Sequence, residues 1–422
     1  MENFINELSW RGMINDITPY TKENFGIEKT SGYIGFDPTA DSLHIGNLAA
    51  IMMLKHLQNS GHRPIILIGG FTGMIGDPSG KSAERNFLNT ETLKNNIDSL
   101  KIQFEKFIDF DCGKLSACIV NNNDWIDNMK ISEFMRQVGK YVNINYMLSK
   151  ESVKSRKDNG LSFTEFSYQL FQAFDFYWLY DKMDCKLQMG GADQWGNITS
   201  GNHLIKKRLK KEGYVITCPL ITKSDGTKFG KTENGNIWLD KNKTSIYDFY
   251  QFWLNVEDKD LLKLFKVFTM YNELEITDLF RDYNNKPREL KKILAIYMTS
   301  IVHTKKVCDD VVMFSNIVYG NFSKDNVEDI KESSWNDIVC NFPISQISIN
   351  EYQNMSIYKA VSKVFNVSQS ESKRLIINGG IKINNKKIVN IDALIKDFVL
   401  LRNEYLFFKK GKTSKLLRAC KT

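Results

Sequence analysis

"SGYIGFDPTADSLHIGN", residues 31–47, passes from a short apolar run through a proline-containing polar break into a segment with apolar residues at helical spacing. The first six residues read as a buried strand, and "DPTADS" ends it. From about Leu43 a helix carries Ile45, Leu48, Ile51 and Met52 on one side and closes near Gly61. Two similar runs follow, "RPIILIGG" (63–70) and "KLQMGG" (186–191), each closed by paired glycines. Strand, helix and strand repeated in this way predict an α/β fold with a doubly wound parallel sheet of Rossmann type. Ligands are then expected at the carboxyl ends of the strands.

Beyond that sheet the pattern changes. From about Lys241 to Tyr319 the sequence is helical, with "IYDFYQFWLNV" and "ELKKILAIYMTSIVHTKKV" as its clearest segments, and the polar "GNFSKDNVEDIKESSWND" reads as a connection. The expected division is a Rossmann-like domain over 1–222, a loop and helical subdomain over 223–322, a linker over 323–353 and a basic module over 354–422. No internal repeat is evident. The formal charge of +8 conceals an asymmetry: from Asn354 onward there are 15 Lys and Arg against 4 Asp and Glu, a net +11 that leaves −3 for 1–353. A folded chain end of this kind suits a polyanion such as RNA, a solvated lysine-rich surface being the competing explanation.

Composition also excludes classes. The amino terminus, "MENFINELSWRGMIND", is acidic and has no apolar core, and no stretch approaches the ~18 apolar residues of a membrane helix, so a cytoplasmic protein with no membrane partner is expected. Seven scattered cysteines without a C-x-x-C pair argue against a structural metal or a disulfide framework.

Five segments carry candidate chemistry. In "DPTADSLHIGN", Thr39, Asp41 or Ser42 can cap the helix, and Thr39 and His44 could join its free N–H groups in holding phosphate; a histidine merely packing at a turn is the competing reading. "GMIGDPSGKS" is not a P-loop, because three residues rather than four separate Gly76 from Gly80, but Asp77 could meet a ligand ammonium group. In "SFTEFSYQLFQAFDF" the Ser162-x-x-Glu165 pattern starts a helix on which Tyr168, Gln172 and Asp175 share a face, to be satisfied by an amino-acid ligand or by protein groups. "LQMGGADQWGN" places Gly191 and Asp193 after a strand, where a carboxylate could cap the next helix or hold ribose hydroxyls. Finally "KSDGTKFGKT" combines glycines with three lysines, as in a mobile lid over polyphosphate or an exposed basic turn.

In this order the segments resemble the class I aminoacyl-tRNA synthetases, and specifically the bacterial-type tyrosyl-tRNA synthetase family. "HIGN" is similar to the family's H-I-G-H motif and "KFGKT" to its K-M-S-K-S motif, while "YIGFDPTADSLHIGN", "GDPSGK", "SFTEFSYQLFQAFDF" and "GGADQWGNITSG" look like the tyrosyl branch. The resemblance implies activation of L-tyrosine by ATP, with Mg2+ on its phosphates, followed by transfer to the terminal adenosine of tRNA(Tyr), in a homodimer. Catalytic contacts would come from Thr39, His44, Lys228, Lys231 and Lys223, with Lys81 and Arg85 assisting. Gly35, Asp37, Asn47, Gly191, Asp193 and Gln194 would line the ATP site together with His44 and Lys231. Tyr33 and Asp175 would bind the substrate phenol, and Asp77, Tyr168 and Gln172 its ammonium group, with Asn122 beside them. Asn47, Phe229 and Gly230 depart from the two motifs and keep His44 and both lysines. The 354–422 segment resembles the small α+β RNA-binding module of a ribosomal protein and pseudouridine synthases, with Lys373 and Arg374 toward phosphates. Two alternatives share these features: a catalytically inactive RNA-binding relative and a tryptophanyl-type enzyme.

Overall fold

The structure is a computed structural model and describes residues 3–79, 90–154, 160–232, 235–319, 329–340, 342–411 and 413–420. The chain divides into two compact units, Met1–Asp240 with Val256–Lys291, and Lys241–Asn255 with Lys292–Thr422.

The first unit is built on a six-stranded sheet of β1 (Asp16–Ile17), β2 (Ser31–Phe36), β3 (Arg63–Ile68), β4 (Cys118–Asn121), β5 (Cys185–Gly191) and β6 (Tyr214–Cys218), in the order β1-β6-β5-β2-β3-β4. All neighbours are parallel except β1, which runs antiparallel on β6. From β2 the chain winds outward to β3 and β4, then returns to lay β5 against the other side of β2. The order therefore reverses between β2 and β5, where a doubly wound sheet opens its crevice. Strands covered on both faces need near-continuous apolar runs, and β3 is buried throughout from Pro64 to Ile68. Tyr33, Ile65, Phe176, Leu179, Ile198 and Val215 belong to one core between the sheet and the helices Phe163–Met183 and Trp195–Leu209. A short hairpin of β7 (Lys231–Thr232) and β8 (Gly235–Asn236) follows the sheet.

In the second unit a five-stranded sheet has the order β11-β10-β12-β13-β9, from β9 (Ile344–Ser348), β10 (Ile381–Ile383), β11 (Lys386–Lys387), β12 (Tyr405–Lys410) and β13 (Thr413–Cys420). The helices Ile357–Phe365 and Gln369–Ile377 contribute Val361 and Ile376 to a core shared with Ile383, Leu406 and Phe408 of the sheet. Within 323–353, read as a connection, the described residues form the helix Glu332–Val339, strand β9 and the helix Ile349–Asn354, and β9 pairs in parallel with β13. Aromatic rings join this sheet to the helices before it: Phe314 meets Trp335 at 5.7 Å and Trp335 meets Tyr405 at 5.7 Å, while Phe342 lies 5.7 Å from Phe314 and 5.5 Å from Phe407. No described helix in either unit is long and apolar enough to cross a membrane.

Candidate active site

A cavity of about 510 Å³ opens at the β2/β5 reversal, within the range usual for small-molecule sites. It is lined by Tyr33, Gly35 and Asp37 of β2 and its continuation, by Thr39, His44 and Asn47, and by Asp77. Tyr168, Gln172 and Asp175 enter from one face of the Phe163–Met183 helix, as their spacing predicted, and Gly191, Asp193, Gln194 and Lys228 complete the expected set. Asn122, Lys223 and Lys231 are not among the lining residues, and Lys81 and Arg85 lie outside the described residues. Lys373 and Arg374 are exposed on the Gln369–Ile377 helix of the second unit.

At the deep end Asp175 is 2% exposed, and its two oxygens accept from Asn122 Nδ2 at 3.0 Å and Trp125 Nε1 at 2.8 Å. Burial pushes this carboxyl up to about 7, the two donors pull it back, and the charge of Asp37 adds to the rise. Asn122 is fully buried behind it; its oxygen accepts from the Phe71 N–H and its nitrogen also reaches Thr72 Oγ1. Asn122 thus orients Asp175 rather than lining the cavity itself. The Tyr33 hydroxyl is buried with no hydrogen-bond partner among the described residues, and burial, then the Asp175 charge, holds its pKa well above 10. A buried hydroxyl without a partner beside a carboxylate is an incomplete polar site, and a ligand hydroxyl would complete it.

Nearer the mouth, Asp37 accepts from Thr72 Oγ1 and Tyr168 Oη, both at 2.9 Å. Gly69 makes this approach possible, since a Cβ there would fall 2.1 Å from Asp37 Oδ1. Asp77 accepts from Gln194 Nε2 at 2.6 Å and from Asn197 Nδ2 at 3.3 Å. Gln172 Nε2 lies 3.5 Å from Gln194 Oε1, which leaves Gln172 Oε1 as a buried acceptor without a partner among the described residues. Asp37 and Gln194, assigned to the nucleotide, are thereby tied to the residues assigned to the ammonium group. This wall offers acceptors to a small cation.

The nucleotide end departs from expectation in detail. The helix is Ile45–Asn59, and its N-cap is His44 rather than Thr39, Asp41 or Ser42; Asn47 Oδ1 accepts from the His44 N–H at 3.0 Å. The start is displaced because the Leu43 N–H is drawn to Gln103 Oε1 at 2.9 Å. One N–H expected to face phosphate is occupied as well: Ile45 donates to the Ile237 carbonyl at 3.0 Å. Likewise Gln194, not Asp193, is the N-cap of the Trp195–Leu209 helix, because a 3-10 turn, Ala192–Gln194, comes first.

The two similar motifs meet through backbone. His44 bridges Trp238, the Leu239 N–H donates to the Leu43 carbonyl, and Ile237 donates to Gly230. Gly230 has φ +87°, and a Cβ there would come within 3.0 Å of Ile45 Cβ, so glycine is required twice over. Phe229 is buried and stacks on Phe268 with centroids 5.8 Å apart. Lys228 consequently faces the cavity, while Lys231 sits exposed at the start of β7 and Lys223 in the preceding turn, whose N–H donates to Thr227. Among the described residues no three His, Cys, Asp or Glu side chains are grouped as a metal site.

Thr72, Trp125 and Trp238 were not picked out from sequence. Trp125 had a signal, a tryptophan four residues past the end of β4 in "NNNDW", at the carboxyl side of the strands where ligands bind. Trp238, whose ring packs edge-on against His44 at 5.7 Å, had none.

Comparison with known proteins agrees with this geometry. The family of class I tRNA synthetases (W and Y) matches residues 27–320. The tyrosine–tRNA ligase of Bacteroides fragilis is 47% identical over 421 residues, covering 97% of this chain and 98% of that protein. The tyrosine–tRNA ligase of Parabacteroides distasonis is 46% identical over 430 residues, covering 99% and 100%. Among solved structures, a C-terminally truncated mitochondrial tyrosyl-tRNA synthetase from Aspergillus nidulans superposes with a TM-score of 0.68 at 29% identity, over 75% of this chain and 94% of that one. The tyrosyl-tRNA synthetase of Archaeoglobus fulgidus shares the fold, with a TM-score of 0.53 at 14% identity over 72% of this chain and 99% of its own. With a cleft at the sheet reversal, the two motifs joined beside it and relatives matched along nearly the whole length, the chain belongs to the tyrosyl-tRNA synthetase family of class I tRNA synthetases.

Proposed function

We propose that the chain activates L-tyrosine with ATP and passes the tyrosyl group to the 3′-terminal adenosine of tRNA(Tyr). In the first step a tyrosine carboxylate oxygen attacks the α-phosphorus, the bond to the bridging oxygen breaks, and pyrophosphate leaves with the electron pair. The nucleophile is already ionised, so the residues act by positioning and by stabilising charge. The observation that carries the reading is the pair at the deep end, a buried hydroxyl of Tyr33 without a partner among the described residues and the buried carboxylate of Asp175. Tyr33 would donate to the phenol oxygen, and Asp175 would accept a hydrogen bond from the phenol hydroxyl.

Asp77, Tyr168 and Gln172 would hold the ammonium group, with Asp37 and Gln194 in the same network. Thr39, His44, Lys228 and Lys231 would neutralise the polyphosphate, Lys223, Lys81 and Arg85 would assist, and Gly35, Asn47, Gly191 and Asp193 would border the nucleotide. Mg2+ would arrive on the ATP phosphates. The basic 354–422 segment would bind RNA, with Lys373 and Arg374 against phosphates.

A cytoplasmic location would suit these substrates. A homodimer is supported by apolar residues at the surface: Ile131, Met135, Ile144, Leu148 and Phe163 are 47–83% exposed. The helix of Ile131 and Met135 packs against that of Phe163, since Phe134 stacks on Phe171 at 4.7 Å. An inactive relative is disfavoured because His44, Lys228, Lys231 and Asp175 are all present. Pyrophosphate exchange measured with tyrosine, tryptophan and phenylalanine tests the proposal: exchange should depend on tyrosine. Exchange with tryptophan would move the chain to the sister branch, and none with any would leave an RNA-binding relative.

A further inference from the structure

The helix Thr90–Phe104 presents a stripe of Leu93, Asn96, Ile97, Leu100, Gln103 and Phe104, all buried. Two members of that stripe are amides, seven residues apart and hence on one face. Burying an amide inside an apolar stripe is costly unless it is bonded, and these two are bonded to the same loop. Asn96 Nδ2 donates to the Pro38 carbonyl at 2.8 Å. Gln103 Oε1 accepts from the Leu43 N–H at 2.9 Å and lies 3.4 Å from Ser42 Oγ. Between these points the chain carries Thr39 and leads directly into His44.

The same loop is held from its other side, where Ser42 Oγ accepts from the Asp240 N–H at 3.2 Å and the Leu43 carbonyl accepts from Leu239. Residues 38–43 form no helix or strand of their own, so side chains supply what a backbone ladder would otherwise provide. Leu100, between the two amides, lines the cavity and brings this helix within reach of the nucleotide.

We infer that Asn96 and Gln103 are positioning residues for the activation step, a two-point clamp that fixes the 38–43 loop so that Thr39 and His44 face the phosphates. The inference rests on the ATP-site reading of that loop. The two amides act in opposite senses, Asn96 as donor and Gln103 as acceptor, and the backbone partners dictate which. A merely packed amide would not distinguish an acid substitution from any other. A clamp does: Gln103→Glu keeps an acceptor for Leu43, whereas Asn96→Asp sets a carboxylate oxygen against the Pro38 carbonyl.

The test compares Gln103→Met, Gln103→Glu, Asn96→Leu and Asn96→Asp in the full chain, by tyrosine-dependent pyrophosphate exchange, equilibrium tyrosine binding and thermal melting. Gln103→Met and Asn96→Leu should each lower kcat/KM for ATP about tenfold, with tyrosine affinity unchanged. Gln103→Glu should recover most of that loss, and Asn96→Asp should be at least as impaired as Asn96→Leu. Equal impairment of the two Gln103 variants, a wild-type rate in Asn96→Asp, or a parallel fall in tyrosine affinity would overturn the clamp. Melting identifies any variant that fails to fold, and the mild Gln103→Glu change then decides. Failure of the underlying reading looks different, because the unsubstituted chain itself would show no exchange.

Discussion

Raising the pH is expected to tighten tyrosine binding, because Asp175 changes charge near neutrality. Burial pushes its carboxyl up to about 7 from an ordinary 3.8, even though Asn122 and Trp125 donate to it. Between about pH 6 and about pH 8 the ionised fraction then rises from roughly one tenth to roughly nine tenths. A phenol hydroxyl donates more strongly to a carboxylate than to a neutral acid, so affinity should increase about tenfold across that interval. Tyr33 does not contribute, since its pKa lies well above 10. For the ligand-free fold the sign is opposite. The folded pKa is the raised one, so the stability associated with Asp175 is fully present below about 3.8 and is lost as the pH rises through about 7. Calorimetric titration of tyrosine in buffers of different ionisation heat reads affinity and proton release together, with release approaching one proton at the acid end and vanishing at the alkaline end. Trp125→Phe, which removes a donor to the carboxylate, should move the whole curve to higher pH. A flat affinity with no proton release would mean that Asp175 does not accept from the phenol.

Tyr33→Phe deletes a buried hydroxyl that has no partner among the described residues, so the ligand-free chain should gain about 1 kcal/mol of stability in denaturant titration, while the tyrosine-to-phenylalanine ratio of kcat/KM falls about tenfold. Lys231→Ala, at an exposed position, should leave melting and tyrosine affinity unchanged and slow adenylate formation about 100-fold in single-turnover kinetics. Reversing Lys373 and Arg374 to glutamate should raise KM for tRNA and flatten its salt dependence by about one unit of slope per lost phosphate contact, without touching pyrophosphate exchange. Replacing Ile131 and Phe163, 83% and 81% exposed, by aspartate should shift sedimentation to that of a monomer.

The parallel strands were legible because burial on both faces demands continuous apolar runs, and "RPIILIGG" is such a run. The one-sided placement of Tyr168, Gln172 and Asp175 was legible from helical spacing alone. What escaped depends on partners distant in the chain. The helix after β2 starts later than its caps suggested because Leu43 is held by Gln103, 60 residues on. Asn122 was expected against substrate but meets Asp175 across 53 residues, a contact that no local pattern encodes. Strand β9, "ISQIS", is short and partly exposed, and it becomes a strand only by pairing with β13.

The rings of Phe314, Trp335, Phe342, Tyr405 and Phe407 bear on how the second unit comes apart. Three of them precede residue 354, as does strand β9, so the basic segment does not carry its whole core within its own limits. Cut out at 354, it would lose the strand that covers β13 and offer that edge to other chains, which invites aggregation. In the intact chain the sheet and the helices should therefore lose hydrogen-exchange protection together, as one cooperative block, and a graft of this basic element into another protein must begin upstream of Trp335.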